Sequence, residues 1–237
     1  MAYRPGAVKI VGKVIKAILY LIIATMVSFL VWRVYFSTSI PNNIKRIVVT
    51  DSLAEAYTAT GGELGAFDQE QYTITRGDDN YGYFSIEDYV IIPEAKQVQI
   101  IFRYNNSTVE ALAEDYDLTE MPDLSAELYD VTLVKTTDLT PENADDNNDE
   151  GAFSETRYYP SEVIAERTLL YNFRRIVFEN VEINEDDLGL FADIYYVEDI
   201  DYGEDPYGAL CLYDKEMANK PYEFTKKDIN RIKKGVK

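Results

Sequence analysis

Two hydrophobic periodicities divide the chain. Between Lys16 and Arg33 runs AILYLIIATMVSFLVW, sixteen uncharged residues that would rise about 24 Å as a helix. Adding Val14 and Ile15, with Lys16 reaching outward, and the VYF beyond Arg33 brings the apolar length to the roughly 20 residues that a bilayer core needs. Trp32, Tyr35 and Phe36 then fall at one interface, where amphipathic rings concentrate. A cleaved signal peptide shares the basic-then-apolar pattern, but this run exceeds a usual signal core and RVYFSTSIPNN lacks an A-x-A-like cleavage site. The pattern predicts a retained anchor over residues 14–36.

Beyond residue 64 the period changes to two. The clearest strand is QVQIIFRY, in which Val98, Ile100, Phe102 and Tyr104 share one face, while Gln97, Gln99 and Arg103 share the other with Ile101. QYTIT, YGYFSI, YVII, SAELYDVTLVK, ERTLLYNF, RRIVFENVEI, GLFADIYYV and ALCLYD read as comparable strands. Their β-branched and aromatic content, and their spacing by Gly, Pro, Asn and Asp clusters, predict an antiparallel β-sandwich rather than βαβ units. Two short helices flank it. One is TDSLAEAYTATGG, capped by Asp51 or Ser52 with Glu55 in a capping box and ended by Gly61 and Gly62; the other lies in FTKKDINRIKKGVK, where Thr225 and Asp228 make a cap. The expected layout is a basic tail over 1–13, a transmembrane helix over 14–36, a linker with a short helix over 37–64, the sandwich over 65–222, and a basic tail or helix over 223–237.

Charge assigns the two sides. Residues 1–34 hold Arg4, Lys9, Lys13, Lys16 and Arg33 and no acid, whereas the whole chain carries −19. The basic tail places the N-terminus in the cytoplasm and the acidic bulk outside the cell membrane. An acidic domain repels phosphate backbones, so nucleic acid is not an expected partner. The C-terminal segment, with six basic residues against one acid, reads as a solvated helix or as a contact for an anionic lipid surface or wall polymer.

The chain has no histidine and one cysteine, Cys211 in ALCLYD. That removes intrachain disulfides, His-based triads and Cys/His zinc sites, and it leaves Cys211 as a small packing side chain. No nucleophile elbow, phosphate loop or zinc helix appears. No catalytic residue and no cofactor-binding residue is therefore expected. Calcium is the metal that clustered Asp and Asn outside a cell would suit. Asp145, Asn147 and Asp149 match the first three ligand positions of an EF-hand loop, but Glu150 stands where Gly is needed and Thr156 where the bidentate Glu is needed. Asp199 and Asp201 give a shorter fragment of the pattern within DIYYVEDIDYGEDPYG. That stretch itself divides into a strand, DIYYV, on which Tyr195 and Tyr196 must face opposite ways, and an acidic turn. RGD at 76–78 and the sequons at Asn105 and Asn106 complete the candidate motifs.

With the basic tail, the single span, YGYFSI, IPEAKQVQIIFRYNNST and RRIVFENVEI in view, the chain resembles uncharacterised single-pass membrane proteins of Gram-positive anaerobic bacteria. The outer part of those proteins resembles an immunoglobulin-like sandwich. The resemblance implies location and fold class and brings no catalytic residues. The function expected is that of a membrane-anchored extracytoplasmic binding or envelope-assembly module, with the bilayer and a protein or envelope component as partners. A wall-directed hydrolase using carboxylates and a bitopic subunit of a transport or division complex are the alternatives.

Overall fold

The computed structural model describes residues 5–70, 72–74, 84–106, 128–138, 153–184, 186–196, 206 and 208–236. The chain forms two compact units, Met1–Ser39 and Ile40–Lys237. The first is one helix, α1 (Pro5–Thr38), and its stretch Gly12–Phe36 is long and apolar enough to cross a membrane. Thr25 donates its hydroxyl to the Leu21 carbonyl at 2.8 Å, which spares that hydroxyl a search for partners in an apolar medium.

The second unit is a sandwich of two antiparallel sheets. Its strands are β1 (Phe67–Asp68), β2 (Tyr72–Ile74), β3 (Phe84–Ile92), β4 (Gln97–Asn105), β5 (Tyr129–Asp138), β6 (Phe153–Tyr158), β7 (Glu162–Arg167), β8 (Tyr171–Glu179), β9 (Asp187–Tyr196), β10 (Gly208–Asp214) and β11 (Lys220–Pro221). One sheet runs β11-β1-β3-β4-β8-β7 and the other β2-β10-β9-β5-β6. The consecutive pairs β3-β4, β5-β6, β7-β8 and β9-β10 fall alternately on the two sheets. The pairings β4:β8 and β5:β9 then join each sheet's two hairpins. The predicted face of QVQIIFRY is the inner one. Val98, Ile100, Phe102 and Tyr104 enter one core with Val131 and Leu133 of β5 and Ala192 and Ile194 of β9. Tyr129 sits edge-on to Phe84, Phe102 and Tyr104, with centroids 5.3–5.9 Å apart, so rings from both sheets interlock. Gly208 lies so close that a Cβ there would meet the Phe84 ring at 2.5 Å. A buried Lys135–Asp187 pair at 3.2 Å closes the opposite end of this core.

Of the segments that the sequence sets apart as linker and tail, residues 40–64 and 223–236 belong to this unit. Helices α2 (Asn42–Lys45), α3 (Asp51–Ala59) and α4 (Lys226–Gly235) frame the outer face of the β3-β4-β8 sheet. There Ile47, Leu53, Ala56, Val90, Ile92 and Ile232 form a second core, and Ile44 packs with Ile101 and Phe173. Gln99 ties the entering chain down, its Nε2 donating to Val48 O at 2.8 Å while its Oε1 accepts from Val48 N at 3.0 Å. The face of β4 that reads as half-polar is therefore buried too, with Gln99 fully enclosed.

Local corrections follow from side-chain bonding. The cap of α3 is Thr50, whose Oγ1 accepts from Leu53 N, in place of Asp51 or Ser52; Gly61 and Gly62 end the helix in left-handed conformations, as the sequence suggests. Thr225 and Asp228 make the full capping box at α4. ERTLLYNF is not one strand: Glu166 and Arg167 end β7, residues 171–173 open β8, and residues 168–170 turn between them. Thr168 N–H donates to Tyr171 O, and the Thr168 hydroxyl accepts from Tyr171 N. Strand β6 and the start of β7 escape the period-two reading because both are sheet edges rich in charged residues, the composition that discourages edge-to-edge pairing.

Candidate functional site

Polar side chains gather at three places in the sandwich unit. The first is a cavity of about 460 Å³ beside β1 and β3, lined by Asp68, Gln69, Glu70, Ile86, Glu87, Asp88, Tyr89 and Lys220. A bulge between Ile86 and Asp88 lets both Glu87 and Asp88 reach it. Its acids are mostly engaged one by one. Glu87 pairs with Arg103 at 3.0 Å, Asp68 faces Lys220 at 4.0 Å, and Asp88 accepts from the Tyr222 hydroxyl at 3.4 Å. Burial raises the Asp88 pKa, opposed by the positive charge of Arg175 and the bond from Tyr222. The same burial, with Asp88 adding to it, pushes Tyr222 up to about 12.

Arg175 anchors the second place, on the buried outer face of β8, in cross-strand register with Ile101, which is in turn opposite Asp88. Its Nε donates to Gln99 Oε1 at 3.1 Å. Nη1 and Nη2 make no strict hydrogen bond among the described residues. Burial pulls its pKa below the ordinary guanidinium value, and Tyr222, Asp88 and Asp228 oppose that pull. Asp228 in turn accepts from Thr225 N and hydroxyl and from Ile47 N, so one carboxylate meets α4, the entering chain and the arginine's field. The arrangement is a latch between sheet and helices rather than an open pocket.

The third place is the outer face of the other sheet. Arg157 of β6 donates to Thr132 Oγ1 at 2.7 Å and to Asp193 Oδ2 at 3.4 Å, and it lies over the Tyr195 ring at 5.4 Å. The Tyr195 hydroxyl reaches Asp193 at 3.5 Å, while Tyr196 points into the core, the opposite-face arrangement that strand parity requires. Burial drives the Asp193 pKa to about 6, Arg157 opposing and Glu155 adding to the rise. Because the folded-state value lies above the unfolded one, the folded protein binds a proton that the unfolded chain lacks between about pH 6 and 4. Asp193 thus contributes stability that is present at low pH and fades as pH rises through 6. Urea melts from pH 7 to pH 4 are expected to show wild type gaining on the order of 2 kcal/mol relative to Asp193→Asn. Parallel pH profiles for the two proteins would refute this.

The calcium candidates Asp145, Asn147, Asp149, Asp199 and Asp201 lie outside the described residues, as does RGD at 76–78. Their attachment points are nevertheless fixed. Residues 139–152 join Asp138 to Phe153 and residues 197–207 join Tyr196 to Gly208; Tyr129 is opposite Tyr196, at the other end of β5 from Asp138. These anchor points are separated by a ten-residue strand, about 30 Å. Among the described residues no group of three acids, Cys or His is set to hold a metal. Cys211 is buried, its thiol donating to Tyr213 O at 3.3 Å. Asn106 is engaged: its Nδ2 donates to Leu169 O and its Oδ1 accepts from Asn172. Asp88, Asp193, Arg157 and Arg175 were not singled out by the sequence, because a charge inside a strand reads as solvent-facing wherever one sheet face is assumed wet.

These features define a class, a two-sheet antiparallel sandwich following an N-terminal apolar helix. No known protein family, curated protein or solved structure matches the chain.

Proposed function

We propose that the protein is a membrane-anchored extracytoplasmic module that binds a protein or envelope partner, or takes part in envelope assembly, with residues 14–36 in the bilayer and the N-terminus in the cytoplasm. The observation that carries this reading is the character of the sandwich. Its interior is filled by side chains of both sheets, and of the acids that line the cavity beside β3, Glu87 is met by Arg103, Asp68 by Lys220 and Asp88 by Tyr222. A filled core whose flanking acids have partners supports recognition at the surface. The exposed apolar helix and the basic residues before it support the anchor and its orientation. The resemblance to single-pass proteins of Gram-positive anaerobic bacteria with immunoglobulin-like outer parts belongs to the same proposal.

The test compares detergent-extracted full-length protein with residues 40–237 as baits, with quantitative mass spectrometry of what each retains. A common specific partner from the envelope fraction is expected with both. Specific retention of nothing by either bait would sink the binding reading. A partner held only by the full-length chain would instead favour a role for the helix in a membrane complex.

A further inference from the structure

Among the described residues, β6 is the edge of the second sheet, paired with β5 alone. It is a regular edge. Every residue from Phe153 to Tyr158 pairs with β5 without a bulge, and none is a proline or a lysine, two of the devices that blunt such edges. Phe153, Glu155 and Thr156 are exposed.

The side chains of β6 divide by alternation. Tyr158 packs against the inner core, so Thr156 and Ser154 share the inner side with it. Arg157 lies over the Tyr195 ring on the outer face, and Glu155 and Phe153 share that face. Tyr159, the residue after the strand, has the same parity. Phe153 and Tyr159, 59% and 56% exposed, are the two exposed aromatic side chains among the described residues of the sandwich unit.

This row is complementary to a copy of itself in one register. Two antiparallel strands related by a twofold axis normal to the sheet set one residue opposite itself, and that residue fixes every other pair. An axis through Glu155 sets two carboxylates face to face, and one through Arg157 sets two guanidiniums face to face. An axis through Thr156 sets Glu155 opposite Arg157 of the copy, twice over, and brings Phe153 beside Tyr159 of the copy at both ends. Opposite charges and aromatic rings are favourable cross-strand pairs, and like charges directly opposite are unfavourable. The charges that discourage indiscriminate pairing of this edge therefore reject the neighbouring registers and admit the central one.

We propose that β6 pairs with β6 of a second copy of this chain, antiparallel and centred on Thr156, joining two five-stranded sheets edge to edge. A copy is the partner because the complementarity lies within one strand and the residue after it, each pair taking one member from either side of Thr156. Arg157 keeps its bonds to Thr132 and Asp193 of its own chain, and Glu155 of the copy brings a second carboxylate to its other side. The inference needs only residues of the sandwich unit and stands apart from the membrane reading.

The test is disulfide trapping of the purified full-length chain in detergent. Salt at about 0.15 M screens the repulsion between chains of net charge −19 beyond about 8 Å. Thr156→Cys, Glu155→Cys and, beyond the end of β10, Lys215→Cys are each placed in a Cys211→Ala background and mildly oxidised. Thr156 and Glu155 are exposed, so neither substitution reaches the core. In the proposed register the two Cβ atoms at 156 lie about 5 Å apart, near enough to bridge, whereas those at 155 lie on a diagonal of about 7 Å. Thr156→Cys is expected to give a covalent dimer, and the other two to give little. Adding Glu155→Lys sets a cation opposite Arg157 on both sides and is expected to slow linking at 156 about tenfold. Absence of a dimer from Thr156→Cys overturns the inference. Equal linking at 155 and 156, or a rate at 156 that Glu155→Lys leaves unchanged, overturns it as well.

Discussion

Replacing Asp228 with alanine is expected to destabilise the sandwich unit by about 3 kcal/mol, read as a shift of its urea midpoint. Three losses coincide at one carboxylate. Thr225 N and its hydroxyl lose their acceptor at the start of α4, an effect of about 1 kcal/mol for a helix cap. Ile47 N–H, which donates to Asp228 Oδ1 at 3.4 Å, is left buried and unpaired, a cost of about 1–3 kcal/mol. Arg175 keeps Asp88 and Tyr222 but loses a counter-charge while its side chain is fully buried. Asp228→Asn retains an acceptor and is expected to lose less. The coupling is tested by adding Arg175→Met: removing the arginine cancels the penalty of stranding it, so the double variant should lose less than the two single losses combined. Strict additivity would show that Arg175 and Asp228 do not share a field.

The same latch marks the limit of what the sequence discloses. Alternation places Val98, Ile100, Phe102 and Tyr104 on the inner face because a strand with one dry face has only two registers and only one hides its apolar set. It says nothing of the other face. Gln97, Gln99 and Arg175 look solvent-exposed in sequence, and they are buried because residues 44–59 and α4 return to cover them. That cover depends on contacts between positions 47 and 228, which no local pattern encodes. The capping box at Thr225 was legible because its two members are three residues apart, whereas its second duty, receiving Ile47, was not. Edge strands were lost for a related reason: β6 and β7 have one neighbour each and need charge more than alternation. The turn at 168–170 was misread as strand because two leucines promise a core when only sequence is weighed.

Removing residues 1–38 is expected to convert the protein from one that resists alkaline carbonate extraction to one recovered in the soluble fraction, with the melting transition of residues 40–237 unchanged. The asymmetry follows from where each unit gets its stability. All three clusters that hold the sandwich draw on residues from Ile40 onward. The described side chains of α1 from Gly12 to Phe36 are all exposed, Leu21 at 69% and Trp32 at 55% among them, so in water that helix presents an apolar surface with nothing to hide it. Between Ala17 and Trp32 it carries nine Leu, Ile, Val or Phe residues, worth roughly −3 to −5 kcal/mol on insertion. One arginine near the centre costs about 2.5–3.5 kcal/mol on the same scale, so Ile23→Arg with Val27→Arg exceeds the whole favourable sum. The double substitution should therefore reproduce the deletion without shortening the chain, while Ala24→Leu, which adds to the sum, should leave extraction unchanged. N-terminal sequencing of the membrane-bound protein completes the argument. A mature chain beginning after residue 36 would make the apolar run a cleaved signal, and the anchor, along with the orientation built on it, would have to be abandoned.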